Sequence, residues 1–262
     1  LASKFRDTFL LHQPLPFAEI VKNVQVLLAN SMNPYPPQYM GHMDSMPNIF
    51  SVLGDLIASA INNNLFSLEM APSLTQLEYQ VVAEFCRLFG YDDNAGGLVL
   101  GGGSLANLQA LIVARNHALN SANGNVRDSQ QDLVIVCSEA SHVSIKKCAM
   151  LMGIGLDQVV TIPVDRRCRM EVRQLDSVLR TAKANDQMVL AVVATAGTTI
   201  SGNIDPISKV AEITRKRNIW LHVDAIWGGG LILSSRYKSR LKGIGIADSI
   251  TFNPQKWMMV AK

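Results

Sequence analysis

The sequence predicts an α/β protein built on a mostly parallel mixed sheet flanked by helices, with a helical N-terminal segment. Three observations carry this. Short, nearly all-apolar runs recur from residue 98 onward, amphipathic stretches of helical length separate them, and each unusual polar cluster falls where an apolar run ends. Strands covered on both faces read as continuous apolar runs, and helices between them allow parallel pairing. Ligands of such sheets collect at the carboxyl ends of the strands.

The strands are expected at residues 98–100, 133–137, 159–163, 189–194, 220–223 and 249–252. Between them, helical periodicity covers 105–119, 142–152, 172–184, 206–217 and 236–242. Two helices, 46–62 and 74–89, are expected earlier, after the segment Asn33-Pro34-Tyr35-Pro36-Pro37-Gln38-Tyr39. Its prolines require extended or turned backbone. The expected division is an N-terminal helical segment, 1–70, and a sheet domain, 71–262. The apolar run 257–261 precedes Lys262 without a cap or turn, which reads as a cut through a domain.

Bulk properties narrow the function. The 262 residues allow one large domain or two small ones, and 48% hydrophobic against 17% charged residues supports a sizeable core. The net charge is only +3, and Lys146-Lys147 and Arg166-Arg167-Cys168-Arg169 lack interleaved aromatics, so no nucleic-acid partner is expected. No apolar run reaches the roughly 18 residues of a membrane span, and the start has no signal-peptide core, so no membrane partner is expected. Cys86, Cys137, Cys148 and Cys168 form no CxxC pair and read as buried thiols of a cytoplasmic protein, with no metal site.

The chemistry lies at strand ends. His222-Val223-Asp224-Ala225 closes one run, and Asn253-Pro254-Gln255-Lys256 follows the next. An acid and an amine at neighbouring strand ends suit an enzyme that holds an aldehyde cofactor as an imine. Lysine supplies the amine, and the acid keeps the cofactor's ring nitrogen protonated. His222 and Asp224, two residues apart, share a face. Lys256 lies among Pro254, Trp257 and Met258, apolar surroundings that favour the neutral amine. Trp227 and Gly228-Gly229-Gly230 offer a flat wall and close backbone approach.

Gly101-Gly102-Gly103-Ser104 opens a helix and suits a phosphate, or else a plain tight turn. It also fits a loose dinucleotide pattern, but no ribose-binding acid is well placed and no P-loop lysine follows. His142 can stack on a flat ring, shuttle a proton, or act as a helix-cap residue. Thr195-Ala196-Gly197-Thr198-Thr199 is a candidate anion loop or an ordinary loop. Asp205 before Pro206 reads as a helix N-cap.

Taken together, these residues resemble the group II pyridoxal-phosphate-dependent amino-acid decarboxylases, such as the glutamate, aromatic-amino-acid, 2,4-diaminobutyrate and cysteine-sulfinate decarboxylases. The matching stretches are Ala71-Pro72-Ser73-Leu74-Thr75-Gln76-Leu77-Glu78, Gly101 to Leu108, Ser138 to His142, Ala194 to Thr199 with Asp205, His222 to Ala225 with Trp227-Gly228-Gly229, and Asn253 to Trp257. The resemblance implies a fold-type-I, aspartate-aminotransferase-like large domain binding pyridoxal 5'-phosphate, in a cytoplasmic homodimer, with segment 1–70 serving dimer contacts and the substrate pocket. It implies α-decarboxylation of an L-amino acid to an amine and carbon dioxide. Lys256 would hold the cofactor, Asp224 its ring nitrogen, and His142 the face of the ring. Gly103, Ser104 and Asn253 would hold the phosphate or its loop, Thr199 the cofactor shell, and Tyr39 and His42 the substrate.

Gln255 stands where the family usually has His, predicting weaker phosphate binding, and Ile226 where it usually has Ala, predicting a narrowed pocket. The family's mobile loop, with its catalytic tyrosine, and its small domain would lie beyond Lys262. Three other readings stay open: another outcome at the same cofactor (aldehyde synthesis or carbon–carbon lysis), a silent or truncated relative, and a nicotinamide-dependent dehydrogenase. No arginine lies within 35–46 to mark an acidic side chain, which disfavours glutamate.

Overall fold

The computed structural model describes residues 14–41, 43, 45–120 and 132–261, and divides after Met46 into two compact units. Among the described residues, the first unit carries one helix, α1 (Phe17–Ala29), which the sequence reading missed. After it, the Pro36 carbonyl accepts from the Tyr39 N–H at 2.9 Å, and the Tyr39 hydroxyl lies 3.1 Å from Met32 Sδ. His42 falls outside the described residues.

The second unit begins with α2 (Ile49–Ile61) and α3 (Pro72–Phe89). Asn48 caps α2 by accepting from Ser51 N–H at 2.9 Å, and its own amides donate to the Met259 carbonyl. Proline opens α3, and Gly90 closes it with φ 90°, a left-handed conformation that favours glycine. Then come α4 (Gly103–Ala118), β1 (Leu133–Ser138), α5 (Ser144–Leu151), β2 (Val159–Ile162), α6 (Val172–Ala184) and β3 (Met188–Thr195). The chain continues through α7 (Ile207–Arg215), β4 (Trp220–Ala225), β5 (Ser249–Phe252) and the single turn α8 (Pro254–Trp257).

The sheet order is β2-β1-β3-β4-β5, and all four pairings are parallel. Alternation splits each strand between two apolar layers. Val192, Ala194, Leu221, Val223 and Ala225 pack with Leu175 and Leu179 of α6 and with Ile207 and Val210 of α7. Ile135, Cys137 and Val193 pack with Leu111 of α4 and with Ile145 and Cys148 of α5. Each fully buried aliphatic side chain contributes roughly 1.5–3 kcal/mol, so the layers fix the strand register and hence the strand ends.

Two expected elements differ. Residues 98–100 form no strand: the Val99 N–H donates to Glu78 Oε1 at 2.8 Å, and the segment faces β5 across an apolar cavity of about 720 Å³. A strand needs a neighbouring backbone, and among the described residues no strand pairs with this segment. Residues 236–242 give only a 3₁₀ turn, Lys238–Leu241. All four cysteines are free, and Cys137 and Cys148 are buried as expected, but Cys86 is only half-buried and Cys168 is exposed. No described helix is long and apolar enough to cross a membrane.

The backbones after β3 and β4 approach closely, with the Gly228 N–H donating to the Ala196 carbonyl at 2.8 Å. A Cβ on Gly228 would lie 2.4 Å from that oxygen, and backbone cannot yield as a flexible side chain does. Gly228→Ala is therefore expected to destabilise the protein by roughly 1–3 kcal/mol. Urea unfolding checks this, and an unchanged midpoint would contradict it.

Candidate functional site

The strand ends converge on the side of the sheet that carries α4. Parallel register sets Asp224 of β4 beside Thr251 of β5, so the chain leaves β5 next to the acid and reaches Lys256 within one turn. Asn253 forms that turn, its Oδ1 accepting from the Gln255 N–H at 3.0 Å. Lys256 is half-buried, less enclosed than its apolar neighbours suggested.

Asp224 is almost fully buried. Its Oδ2 accepts from Asn107 Nδ2 at 3.0 Å and its Oδ1 from the Ile226 N–H at 3.2 Å. Among the described residues it joins no ion pair. Burial pushes its carboxyl up, while the Asn107 and Ile226 hydrogen bonds and nearby His142 pull it down. A buried carboxylate without a cation is costly, and a positively charged group beside it would remove that cost.

His222 lies on the same face as Asp224, as strand alternation required, and is completely buried. Its Nε2 lies 3.1 Å from Asn107 Oδ1 and its Nδ1 2.9 Å from Ser249 Oγ. His142, just before α5, is half-buried, and its Nδ1 lies 2.8 Å from Ser144 Oγ. Ser144 Oγ in turn lies 3.0 Å from Asn107 Nδ2. One amide thus links His142, His222 and Asp224.

Burial pushes the His222 imidazole down to about 4 from 6.5. The unfolded ring binds a proton where the folded ring does not. Stability from His222 is therefore fully present above pH 6.5 and is lost as pH falls toward about 4. The effect is at most ~3 kcal/mol. Asp205, raised to about 6 by burial, and Asp224 act in the opposite direction, so a variant comparison is needed. His222→Gln, which does not titrate, is expected to flatten the stability loss between pH 6.5 and 4 in denaturant titrations. An unchanged slope would contradict this.

The remaining sequence candidates sit apart from this network. Gly103 begins α4, after Gly102 at φ 135°, and a Cβ on Gly103 would meet Ile226 Cδ1 at 2.4 Å. Ser104 and Thr199 are exposed, and their side chains do not join the His142–Asn107–Asp224 chain. Trp227 meets Trp257 edge-on at 5.3 Å. Asp205 is not a helix cap: its oxygens accept from Met170 N–H at 2.6 Å and Thr195 N–H at 2.8 Å, pinning β3 to a neighbouring loop. Tyr39 belongs to the first unit.

Asn107 and Ser144 were missed from sequence. The signal for Asn107 was present, because it lies on the buried stripe of α4 with Leu111 and Ala114, at helical spacing. A polar residue on an apolar stripe needs a partner.

The family model described as the pyridoxal-dependent decarboxylase conserved domain matches residues 4–262. An L-2,4-diaminobutyrate decarboxylase of Acinetobacter baumannii is 32% identical over 246 residues, covering 89% of this chain and 48% of its own. The crystal structure of mouse CSAD in apo form superposes with a TM-score of 0.94 at 28% identity, covering 99% of this chain and 55% of that one. The glutamate decarboxylase domain of the Vibrio parahaemolyticus diaminobutyrate-pyruvate transaminase and L-2,4-diaminobutyrate decarboxylase superposes with a TM-score of 0.90 at 32% identity. That match covers 98% of this chain and 57% of the other. The chain spans about half the length of the curated relative it matches.

Proposed function

Because the chain belongs to the pyridoxal-dependent decarboxylase family, we propose that it removes the α-carboxylate of an L-amino acid as carbon dioxide, using pyridoxal 5'-phosphate held by Lys256. The observation that carries this reading is Asp224, a buried carboxylate with no ion pair among the described residues, in register with the strand that leads to Lys256. A protonated ring nitrogen is the cation such a site would accept.

When bound, the cofactor supplies an aldehyde that joins amines and a ring that takes up the electron pair left behind by carbon dioxide. The chain's own residues hold and orient it. Lys256 would provide the amine, and Asp224 would accept the ring N–H and keep that proton in place. His142, half-buried just before α5, would cover the ring face and move a proton at the reacting carbon. The first amides of α4, at Gly103 and Ser104, would hold the phosphate. Asn253 holds the turn that aims Lys256. Ile226, packed on Gly103, limits the depth of the phosphate cradle. Thr199, exposed after β3, would belong to the cofactor shell.

The relative that acts on L-2,4-diaminobutyrate makes a diamino acid the first substrate to try. A homodimer is supported by α2, whose Ile49, Phe50, Leu56 and Ile57 are all exposed. Four free thiols support a cytoplasmic setting. The test is carbon dioxide release across a panel of L-amino acids with added cofactor. Release from at least one is expected, and cofactor binding with release from none would overturn decarboxylation.

A further inference from the structure

Asn107 stands where two hydrogen-bond paths cross. A carboxamide has two N–H donors and a carbonyl acceptor. Here both donors are used, toward Asp224 Oδ2 and Ser144 Oγ, each at 3.0 Å, and the oxygen lies 3.1 Å from His222 Nε2. We propose that Asn107 is a positioning residue that fixes which nitrogen carries hydrogen in both His142 and His222, and so presents Asp224 to the cofactor in one orientation. This rests on the reading of Asp224 as the ring-nitrogen acid.

The assignment follows from donors and acceptors alone. The Asn107 NH₂ donates to Asp224 Oδ2, which leaves the amide oxygen facing His222 Nε2. His222 Nε2 must then carry a hydrogen, which it shares with Thr251 Oγ1 at 3.2 Å. Trp220 Nε1 only donates, and it donates to Ser249 Oγ at 2.9 Å. The Ser249 hydroxyl proton is therefore left for His222 Nδ1, 2.9 Å away. Burial pushes the His222 imidazole down to about 4, outweighing a hydrogen bond to the Ser249 backbone that raises it, and this agrees with a neutral ring.

The second path runs outward. Asn107 donates to Ser144 Oγ, so the Ser144 hydroxyl donates to His142 Nδ1, 2.8 Å away. The Ser144 backbone N–H reaches the same nitrogen at 3.2 Å. His142 Nδ1 thus accepts twice, and the ring's hydrogen sits on Nε2. One buried amide on α4 sets the proton pattern across β4, β5 and the start of α5.

Nitrogen NMR of the full, cofactor-free chain with labelled histidine reads this directly. In the wild type, both rings are expected to carry hydrogen on Nε2. Asn107→Leu should remove that bias in both rings and weaken pyridoxal phosphate binding by roughly tenfold or more. Ser144→Ala should weaken the bias at His142, where only the residue-144 backbone N–H remains at 3.2 Å, and leave His222 unchanged. Hydrogen on Nδ1 of either ring in the wild type would overturn the proposal, as would an Asn107→Leu protein with unaltered rings and affinity. If Asn107→Leu does not fold, an unaltered His142 in Ser144→Ala overturns it instead. A wild type that binds no cofactor would defeat the proposed function while leaving the histidine signals readable, so the two failures are distinguishable.

Discussion

Lys256→Ala is expected to yield a folded protein that stays colourless with pyridoxal phosphate and loses roughly 10⁴-fold or more of its carbon dioxide release, as when an enzyme loses its nucleophile. The physical reason is that no other described amine follows β5 at the register of Asp224. Stability should change little, because the side chain is only half-buried. The turn that carries it is held by Asn253 and the Gln255 N–H, neither of which the substitution touches. Absorbance of the purified variant, with carbon dioxide release and thermal unfolding in parallel, checks this. A variant as yellow and as active as wild type would remove Lys256 from the chemistry.

Asp224→Asn is the second large effect. The amide keeps the volume of the acid but has no charge to hold a ring-nitrogen proton. The unprotonated ring is a weaker electron acceptor, and the expected loss in turnover is on the order of 10²–10³-fold, the range for removing one electrostatic stabiliser. Free of cofactor, the variant has a different signature. The isolated buried charge costs stability, so its removal partly offsets the lost hydrogen bonds, and the folded protein should tolerate the change. Turnover against unfolding midpoint separates these effects. A full loss of fold with no cofactor-dependent effect would make Asp224 a structural residue.

Much of the sheet was readable from local pattern because β1 and β3 are continuous apolar runs and α6 has a clear amphipathic period. The shared face of His222 and Asp224 followed from alternation alone. Residues 98–100 were not readable in this way. A short apolar run becomes a strand only beside a partner backbone, and here a cavity intervenes and Glu78 takes the Val99 N–H. The helix Phe17–Ala29 carries Ile20, Val21, Val24, Leu27 and Leu28 at helical spacing, a signal that was present but unused.

Asp205 was misread for a related reason. Local sequence suggested a cap, but its two acceptors serve Met170 and Thr195, contacts that only the folded chain brings together. The acid and the lysine were visible because each ends an apolar run. The amide between the histidines was not, because its role appears only when α4 is laid on β4. Ser104, in the first turn of α4, and Thr199, after β3, are both exposed.

The most direct measurement is borohydride reduction of the purified protein with pyridoxal phosphate, followed by peptide mass spectrometry. A single pyridoxyl mass on the peptide containing Lys256 is predicted. A mass on another lysine, or none on a protein that nevertheless releases carbon dioxide from an amino acid, would contradict the account.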